Sequence, residues 1–351
     1  MSILKPSDVF KAFAEKEINS ESAVDYLKFI IENQDDPFVR RDAIETFEKI
    51  QYKSKKTFKF LENLLISDVD NRIRAKAAKI IIQNFSFAAF KPIKWAICRD
   101  NSLVCLDEIA NALVETRDKN LKPLLDLIEH AFYKNKIYLV KYYSLNLSKI
   151  GVNKIKNVKK LNNLKSLIWL DLSHNNINEI SDLESLSQLK NLSLANNKIS
   201  EIKGLDKLSN LITLQLNNND ISEIKGLDSL TNLRSLVLDN NNIKEIKGLE
   251  NLPKLHFLSL NNNRISTIKG LDKLYNLVIL QLIGNEIQEI SGLINLKELT
   301  TLNLSNNKIK NINQPNLPHL RYFCLDNNLI DQYQLNEYNS NLRRIMYFHY
   351  L

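Results

Sequence analysis

The first 150 residues of this 351-residue chain contain no glycine, and all seven glycines lie at position 151 or later. Tight loops need backbone positions with positive φ, which glycine adopts at little cost, whereas an array of helices needs few of them. The distribution of glycine therefore predicts two domains, a helical one over residues 1–136 and a loop-rich one over residues 137–351.

Cysteine is also scarce. The three cysteines are Cys98, Cys105 and Cys324, an odd number without a C-x-x-C pair, so neither a disulfide framework nor a zinc site is indicated. No apolar run approaches the ~20 residues that a membrane span needs, and residues 1–8 lack the apolar core of a signal peptide. We expect a cytoplasmic, monomeric protein without a transmembrane segment, metal or other cofactor.

Acidic residues are missing between Glu129 and Asp171, where nine lysines occur. The chain has a formal net charge of +8, so the rest of it sums to 8 − 9 = −1 and the basicity is local. Such a cluster is a candidate patch for nucleic acid or an anionic surface. It has no arginine and no stacking side chains beyond Tyr142 and Tyr143, so nucleic acid is the less favoured partner. The six candidate residues are Lys149, Lys154, Lys156, Lys159, Lys160 and Lys165.

Helical periodicity dominates residues 1–136. A run that opens at Ser20 places apolar residues on one helix face, at Ala23, Tyr26, Leu27, Ile30 and Ile31. Segments 35–43 and 68–77 share a D-x-x-V-R-x-x-A-like pattern that aligns Val39 with Ile73, and a weaker copy begins at Asp100. We expect second helices over residues 57–65, 92–98 and 121–132, with Pro92 in the first turn of its helix. The pattern resembles HEAT-like repeats, an α-solenoid of paired helices.

A 22-residue repeat organises the second half. Its template is L-x-L-x-x-N-x-I-x-x-I, first seen over residues 170–180. A fixed period of this length predicts a solenoid whose stacked turns share one core. The two leucines, two residues apart, point to the inner face of a strand. The asparagine, which can both donate and accept hydrogen bonds, is expected to join neighbouring turns. The eight asparagines of this predicted ladder are Asn175, Asn197, Asn219, Asn241, Asn263, Asn285, Asn307 and Asn328.

The two ends of this array depart from the template. Residues 137–168 form an atypical first repeat, in which Ile150 stands at the asparagine position. Residues 169–328 form the regular repeats. Residues 329–351 are expected to be a C-terminal cap, with a final strand over 345–347 that closes the sheet edge.

The 22-residue unit resembles the SDS22-like class of leucine-rich repeats, a unit that bacterial internalins share. The resemblance implies an α/β-type solenoid with a curved parallel β-sheet on its concave face, which usually binds proteins. The namesake family regulates a protein phosphatase. The resemblance thus adds a third hypothesis, a regulatory subunit of a phosphatase or small GTPase.

Three residue columns are predicted to line the concave face: the residues just before, between and just after the two leucines of each strand. Most are small and polar, but Val237, Phe257, Ile279 and Ile283 would form one apolar patch over three neighbouring turns, and contiguous apolar surface usually marks an interaction site. Trp169 and Tyr322, toward the two ends, are further candidate anchors. The alternative interpretation is that these side chains only pack on one another, or that the N-terminal helices cover Trp169.

The remaining sequence patterns are weaker indications of function. Rails of glutamates (179, 201, 223, 245, 289) and lysines (203, 225, 247, 269) are expected to pair with each other on the solvated surface. Asp171, Ser173 and His174 superficially resemble a catalytic triad, yet the two residues after Leu172 diverge in direction and no catalytic residues are assigned. We therefore predict a non-enzymatic scaffold or regulatory adaptor that binds a protein on the concave face, with the lysine patch as the alternative site.

Overall fold

The computed structural model describes residues 5–312, 317–331 and 333–334. The chain divides into two compact units, Met1–Glu129 and His130–Leu351. The second unit thus begins seven residues before the boundary that composition suggested, because a β-hairpin precedes the first repeat. The predicted cap strand over 345–347 lies outside the described residues.

The described part of the first unit contains seven α-helices. Their bounds are α1 Pro6–Ala14, α2 Ser20–Asn33, α3 Pro37–Ile50, α4 Lys55–Ser67, α5 Asn71–Asn84, α6 Ser86–Arg99 and α7 Leu103–Glu115. Each buries an apolar stripe, and α5 lies at the centre with Ile73, Ala77 and Ile81 fully buried. The predicted helical region is confirmed, including the helix that opens at Ser20.

Aspartates of the repeated motif serve two purposes. Asp36 and Asp70 cap α3 and α5 by accepting the backbone N–H of Phe38 and Arg72, at 2.8 and 2.9 Å. The arginines of one motif bind the aspartates of the next: Arg40 pairs with Asp68, Arg41 with Asp70, and Arg74 with Asp100. The motif therefore fixes the start of α3 and α5 and joins each motif to the next one along the chain.

Pro92 lies inside α6 and not in its first turn, so that prediction is wrong. The apolar stripe of the helix starts before the proline, since Ala89, Ile93 and Ala96 are all buried at helical spacing. Burial of that stripe extends the helix back to Ser86, although a proline in a helix interior removes one hydrogen bond and costs about 3 kcal/mol.

The predicted helix over 121–132 is also wrong. Residues Lys122–Leu127 form a 3₁₀ helix, and the chain then enters strand β1 (His130–Tyr133), which pairs antiparallel with β2 (Lys136–Leu139). Lys134 and Asn135 connect them, both at positive φ, which is the geometry of a type I′ hairpin turn. Pairing between strands overrode a short helical pattern here.

Within the described ranges, the remaining strands form one parallel sheet of nine, from β3 to β11 in sequence order. Their bounds are β3 Ser144–Asn146, β4 Trp169–Asp171, β5 Asn191–Ser193, β6 Thr213–Gln215, β7 Ser235–Val237, β8 Phe257–Ser259, β9 Ile279–Gln281, β10 Thr301–Asn303 and β11 Tyr322–Cys324. The return segments between them are irregular, with short 3₁₀ helices Ile155–Asn157 and Leu161–Asn163 in the first turn. The leucines and isoleucines of all turns share one continuous core.

The eight predicted asparagines lie just after the strands and bond neighbouring turns. Asn241 is typical: its Nδ2 donates to the carbonyls of Leu216 and Leu238, both at 3.0 Å, and its Oδ1 accepts the N–H of Ile221 at 3.0 Å. The same pattern recurs from Asn175 to Asn328. Each amide thus satisfies backbone groups that have no sheet partner at the turn.

Among the residues that the model describes, no helix is both long enough and apolar enough to cross a membrane.

Candidate protein-binding face

The concave face consists of the side chains that project from the sheet away from the leucine core. Its apolar members cluster on β7, β8 and β9. Register places Phe257 beside Ile279, and Val237 on the strand next to Phe257. Val237, Phe257, Ile279 and Ile283 are all partly buried. With strands about 4.8 Å apart, Phe257 and Ile279 are neighbours, Val237 lies two residues further along its strand, and Ile283 lies four residues after Ile279. These four residues are here called the apolar patch.

Trp169 and Tyr322 lie on the same face but apart from this patch. They retain 53% and 55% of their side-chain exposure. Trp169 is on β4, three strands from β7, and Tyr322 is on β11, two strands from β9. Four of the six predicted residues therefore lie on or just after three adjacent strands, and the two aromatic ones are separate exposed groups.

A polar network beside the apolar patch was missed by sequence reasoning. Oδ1 of Asp239 accepts the hydroxyl of Ser259 at 2.6 Å and the backbone N–H of Asn261 at 2.7 Å. Nδ2 of Asn261 donates to the same hydroxyl at 3.0 Å, and its Oδ1 accepts the N–H of Ile283 at 2.8 Å. Three strands are thereby tied together at the edge of the patch. The available signal was that the small polar residues of neighbouring columns stand side by side.

Three lysines of the charge rails pair with glutamates as expected. Lys203 lies 3.1 Å from Glu179 on the preceding turn, and Lys225 lies 2.7 Å from Glu201. Lys247 continues the series with Glu223 at 3.7 Å. All these side chains remain about half exposed, so solvent screens each pair and it contributes little to stability.

The six lysines of the junction cluster differ in environment. Lys149, Lys154, Lys156, Lys159 and Lys165 are exposed, and no ion pair with a described residue involves them. Lys160 is partly buried, with Nζ 3.2 Å from Nε2 of His130 and over the ring of Phe132. Five of the six therefore present their charge to solvent.

Groups suited to catalysis do not converge in the described part of the chain. There, no cluster of three or more His, Cys, Asp or Glu side chains could hold a metal ion. Oδ1 of Asp171 accepts the backbone N–H of Ser173, and the His174 ring faces Asn196. Burial raises the pKa of the Cys105 and Cys324 thiols, which keeps them protonated near neutral pH.

A shallow depression of about 210 Å³ lies in the first unit and is lined by residues of α3, α5 and α7. Its charged side chains have opposite signs, and they include Arg41, Lys76 and Glu108. Lys76 is paired with Glu48 at 3.1 Å and Arg41 with Asp70 at 2.6 Å. Its charges are thus largely compensated within the protein.

Comparison with known proteins agrees with this geometry. Residues 165–207, 209–251 and 253–295 match the family model "Leucine Rich repeats (2 copies)", and residues 298–320 match the "Leucine Rich Repeat" model. The second unit is therefore built of leucine-rich repeats. A search of curated proteins gave no significant match.

Solved structures similar to the chain include internalins from Listeria monocytogenes. The internalin inlF is 28% identical with a TM-score of 0.52, over 60% of this chain and 62% of that one. The internalin inlC2 is 30% identical with a TM-score of 0.49, over 52% of this chain and 80% of that one. A leucine-rich repeat protein from Leptospira interrogans is 27% identical with a TM-score of 0.42, over 53% and 62%. The chain thus spans less than two thirds of inlF, and the first unit lies outside the matched repeat models.

Proposed function

We propose that this chain is a non-catalytic scaffold or regulatory adaptor that binds a partner protein on the concave face of its leucine-rich repeats. The apolar patch is the observation that carries the proposal. On a face of mostly small polar residues, four apolar side chains, on or just after three adjacent strands, keep part of their surface exposed. When a partner covers clustered apolar surface of this kind, the transfer from water is favourable by about 25 cal/mol of free energy per Å² of apolar area buried.

The test is a pull-down from a lysate of the source organism with the wild-type chain and a Phe257→Asp/Ile279→Asp variant, followed by mass spectrometry. We expect a protein that wild type captures and the variant loses. A Tyr275→Asp/Ile294→Asp variant is the matched control, because these apolar residues are 51% and 69% exposed on return segments outside the strands. Circular dichroism would establish that both variants are folded. Equal capture by all three chains would reject the concave face.

The lysine cluster supports a second candidate function, binding of nucleic acid or another anionic surface. Its five exposed lysines without ion pairs are the favouring observation. Such binding releases counterions and weakens steeply with salt. A Lys154→Glu/Lys156→Glu variant should then lose binding to a fluorescent oligonucleotide or to anionic vesicles, while Phe257→Asp/Ile279→Asp should retain it. Binding that is independent of salt would count against this function.

Finer assignments follow from the resemblance. The repeats fit the SDS22-like class, because the 22-residue spacing and the asparagine position recur. The Asp–Arg pairing between helix pairs supports a HEAT-like first domain. We place the protein in the cytoplasm, where an exposed free thiol such as that of Cys98 stays reduced, and we expect it to be a monomer. Regulation of a phosphatase or small GTPase would be tested by adding the chain to candidate enzymes and measuring their activity.

A further inference from the structure

The distribution of charge on the concave face points to the chemistry of the partner. The three columns of this face on all nine strands carry three charged residues, and each is an acid: Asp171, Asp239 and Asp326. Lysine, arginine and histidine do not occur in these columns, although the whole chain has a net charge of +8. An acidic face on a basic protein repels acidic partners and attracts basic ones.

Of the three acids, Asp239 lies next to the apolar patch. It follows Val237 by two residues and projects from the same face, which places the two side chains about 6–7 Å apart. Asn261 separates it from Ile283 on the neighbouring strands. A partner side chain that contacts Val237 therefore brings its flanking residues over the carboxylate.

The Asp239 carboxylate is held ready for such a contact. Both of its hydrogen bonds, from Ser259 and from the Asn261 N–H, end on Oδ1. No described residue donates a hydrogen bond to Oδ2, and Asp239 remains partly exposed. A fixed carboxylate with one unused oxygen suits an incoming ammonium or guanidinium group, because charge-assisted hydrogen bonds are the stronger ones and little side-chain freedom is lost.

A cationic side chain near this face defines the orientation of the partner. Arg234 directly precedes β7, at the opposite end of the strand from Asp239. It is exposed. A basic side chain is thus attracted to the carboxyl end of β7 and disfavoured at its amino end.

We propose that the partner is a protein segment that presents a large apolar side chain close to a lysine or arginine, with the apolar group on the patch and the cation on Asp239. This rests on the proposed concave-face function and names the chemistry that the face selects. An apolar side chain two residues from the cation in an extended segment has the required separation.

A random 12-residue peptide library displayed on phage tests this with the full chain as bait. Wild type should enrich peptides that combine a large apolar residue with a nearby Lys or Arg. The best synthetic peptide would then be titrated by fluorescence anisotropy. Asp239→Asn should weaken binding about tenfold or more, the effect of losing one charge-assisted hydrogen bond. Asn keeps the Oδ1 acceptor, so the network with Ser259 and Asn261 should persist.

Asp171→Asn is the matched control, because it removes one carboxylate from the same face three strands away, and it should leave the affinity nearly unchanged. Replacing the peptide's cation by norleucine should abolish the difference between wild type and Asp239→Asn. Peptides that lose binding to Phe257→Asp/Ile279→Asp yet ignore Asp239→Asn, or that are acidic, would overturn this inference and leave the concave-face function standing. Two outcomes would overturn both this inference and the concave-face function. One is that the peptides bind Phe257→Asp/Ile279→Asp as tightly as wild type, and the other is that wild type enriches no peptides over that double variant.

Discussion

At the scale of single residues, the asparagine column is the strongest link between sequence and stability. The Asn241 amide makes hydrogen bonds to the carbonyls of Leu216, Leu238 and Asp239 and to the N–H of Ile221. Alanine would leave these buried groups without partners, each at about 1–3 kcal/mol if water cannot reach it. We therefore expect Asn241→Ala to lower the free energy of unfolding by at least ~2 kcal/mol, measured by urea titration.

Asn210→Ala is the control for that measurement. Asn210 is exposed on a return segment and donates one hydrogen bond, to the carbonyl of Ser187 at 2.8 Å. Its loss should change stability by less than about 0.5 kcal/mol. If the two variants unfold at the same urea concentration, the asparagine ladder does not hold the turns together.

Glycine is present in the repeats for two different physical reasons, and substitution by asparagine at two positions distinguishes them. Gly248 and Gly284 both have positive φ, +72° and +68°. A Cβ on Gly248 would lie 2.4 Å from the Ile224 carbonyl oxygen, which is fixed backbone, whereas a Cβ on Gly284 would meet only the movable Asn262 side chain. Asparagine tolerates positive φ and stands at the position of Gly284 in neighbouring turns, for example Asn262 and Asn306. We expect Gly248→Asn to cost about 1–3 kcal/mol from the clash and Gly284→Asn to be nearly neutral, by thermal unfolding. Equal melting temperatures would contradict this account of the close approach.

The residues of the candidate site differ in how far their positions follow from the sequence. The four apolar residues of the patch were predictable because a 22-residue period assigns every side chain to a column and each column to a face. Asp239 was in the same columns but looked like one of many small polar residues. Its hydrogen bonds require the hydroxyl of Ser259 and the N–H of Asn261 to come within bonding distance from the next strand, and periodicity does not contain such distances.

At the scale of elements, the helices and strands whose apolar pattern repeats were predicted from the sequence. The elements that depend on one tertiary contact were not. The helices before β1 and the strands of the repeats follow apolar periods of 3.6 and 2. The helix expected over 121–132 was wrong because β1 gains its hydrogen bonds from β2 and from Lys159. Lys159 exchanges two backbone hydrogen bonds with Phe132, which precedes it by 27 residues.

The ion pairs between helix pairs make stability at this scale depend on pH. Burial acts to raise the pKa of Asp100, but the hydrogen bonds from Arg74 and from the Ser102 N–H outweigh it and hold the pKa below its usual range. Such a carboxylate contributes stability that is fully present above the unfolded pKa, about 3.9, and is lost as the pH falls through the folded value. Its side chain is only 5% exposed, and Arg74 approaches at 2.7 Å.

We therefore expect Asp100→Asn to destabilise the helices by about 1–3 kcal/mol at pH 7, because the Arg74 charge loses its partner. The difference in free energy of unfolding between wild type and the variant should narrow as the pH falls below about 4. Urea titration at each pH, monitored by the circular dichroism signal at 222 nm, measures this difference. Asp42→Asn, an exposed carboxylate on α3, should match wild type throughout. A gap that stays constant down to pH 2 would show that the Asp100 charge is not the cause.

At the scale of the whole molecule, the repeat unit has an architecture in which each turn contacts only its neighbours, so its stability is close to a sum over turns and their interfaces. Removing one complete turn should then preserve the fold. Deleting residues 198–219 joins Asn197 to Asp220, the position that Lys198 occupied. Ile221 still follows the asparagine by two residues, and its N–H can still be accepted by Asn241 as it is now, at 3.0 Å.

The matched control deletes residues 199–219 and leaves Lys198 in place. This adds one residue between the asparagine and the isoleucine, a spacing that is constant in all eight turns from Asn175 to Asn328. The isoleucine side chain then no longer points into the core, and the column of asparagine amides is interrupted in the middle of the sheet. We expect the 22-residue deletion to unfold in one transition at a modestly lower urea concentration. The 21-residue deletion should lose several kcal/mol or split into two transitions, because it combines a core defect with unpaired buried groups. Equal stability of the two deletions would mean that the turn between strand and return segment, and the asparagine within it, does not set the repeat length.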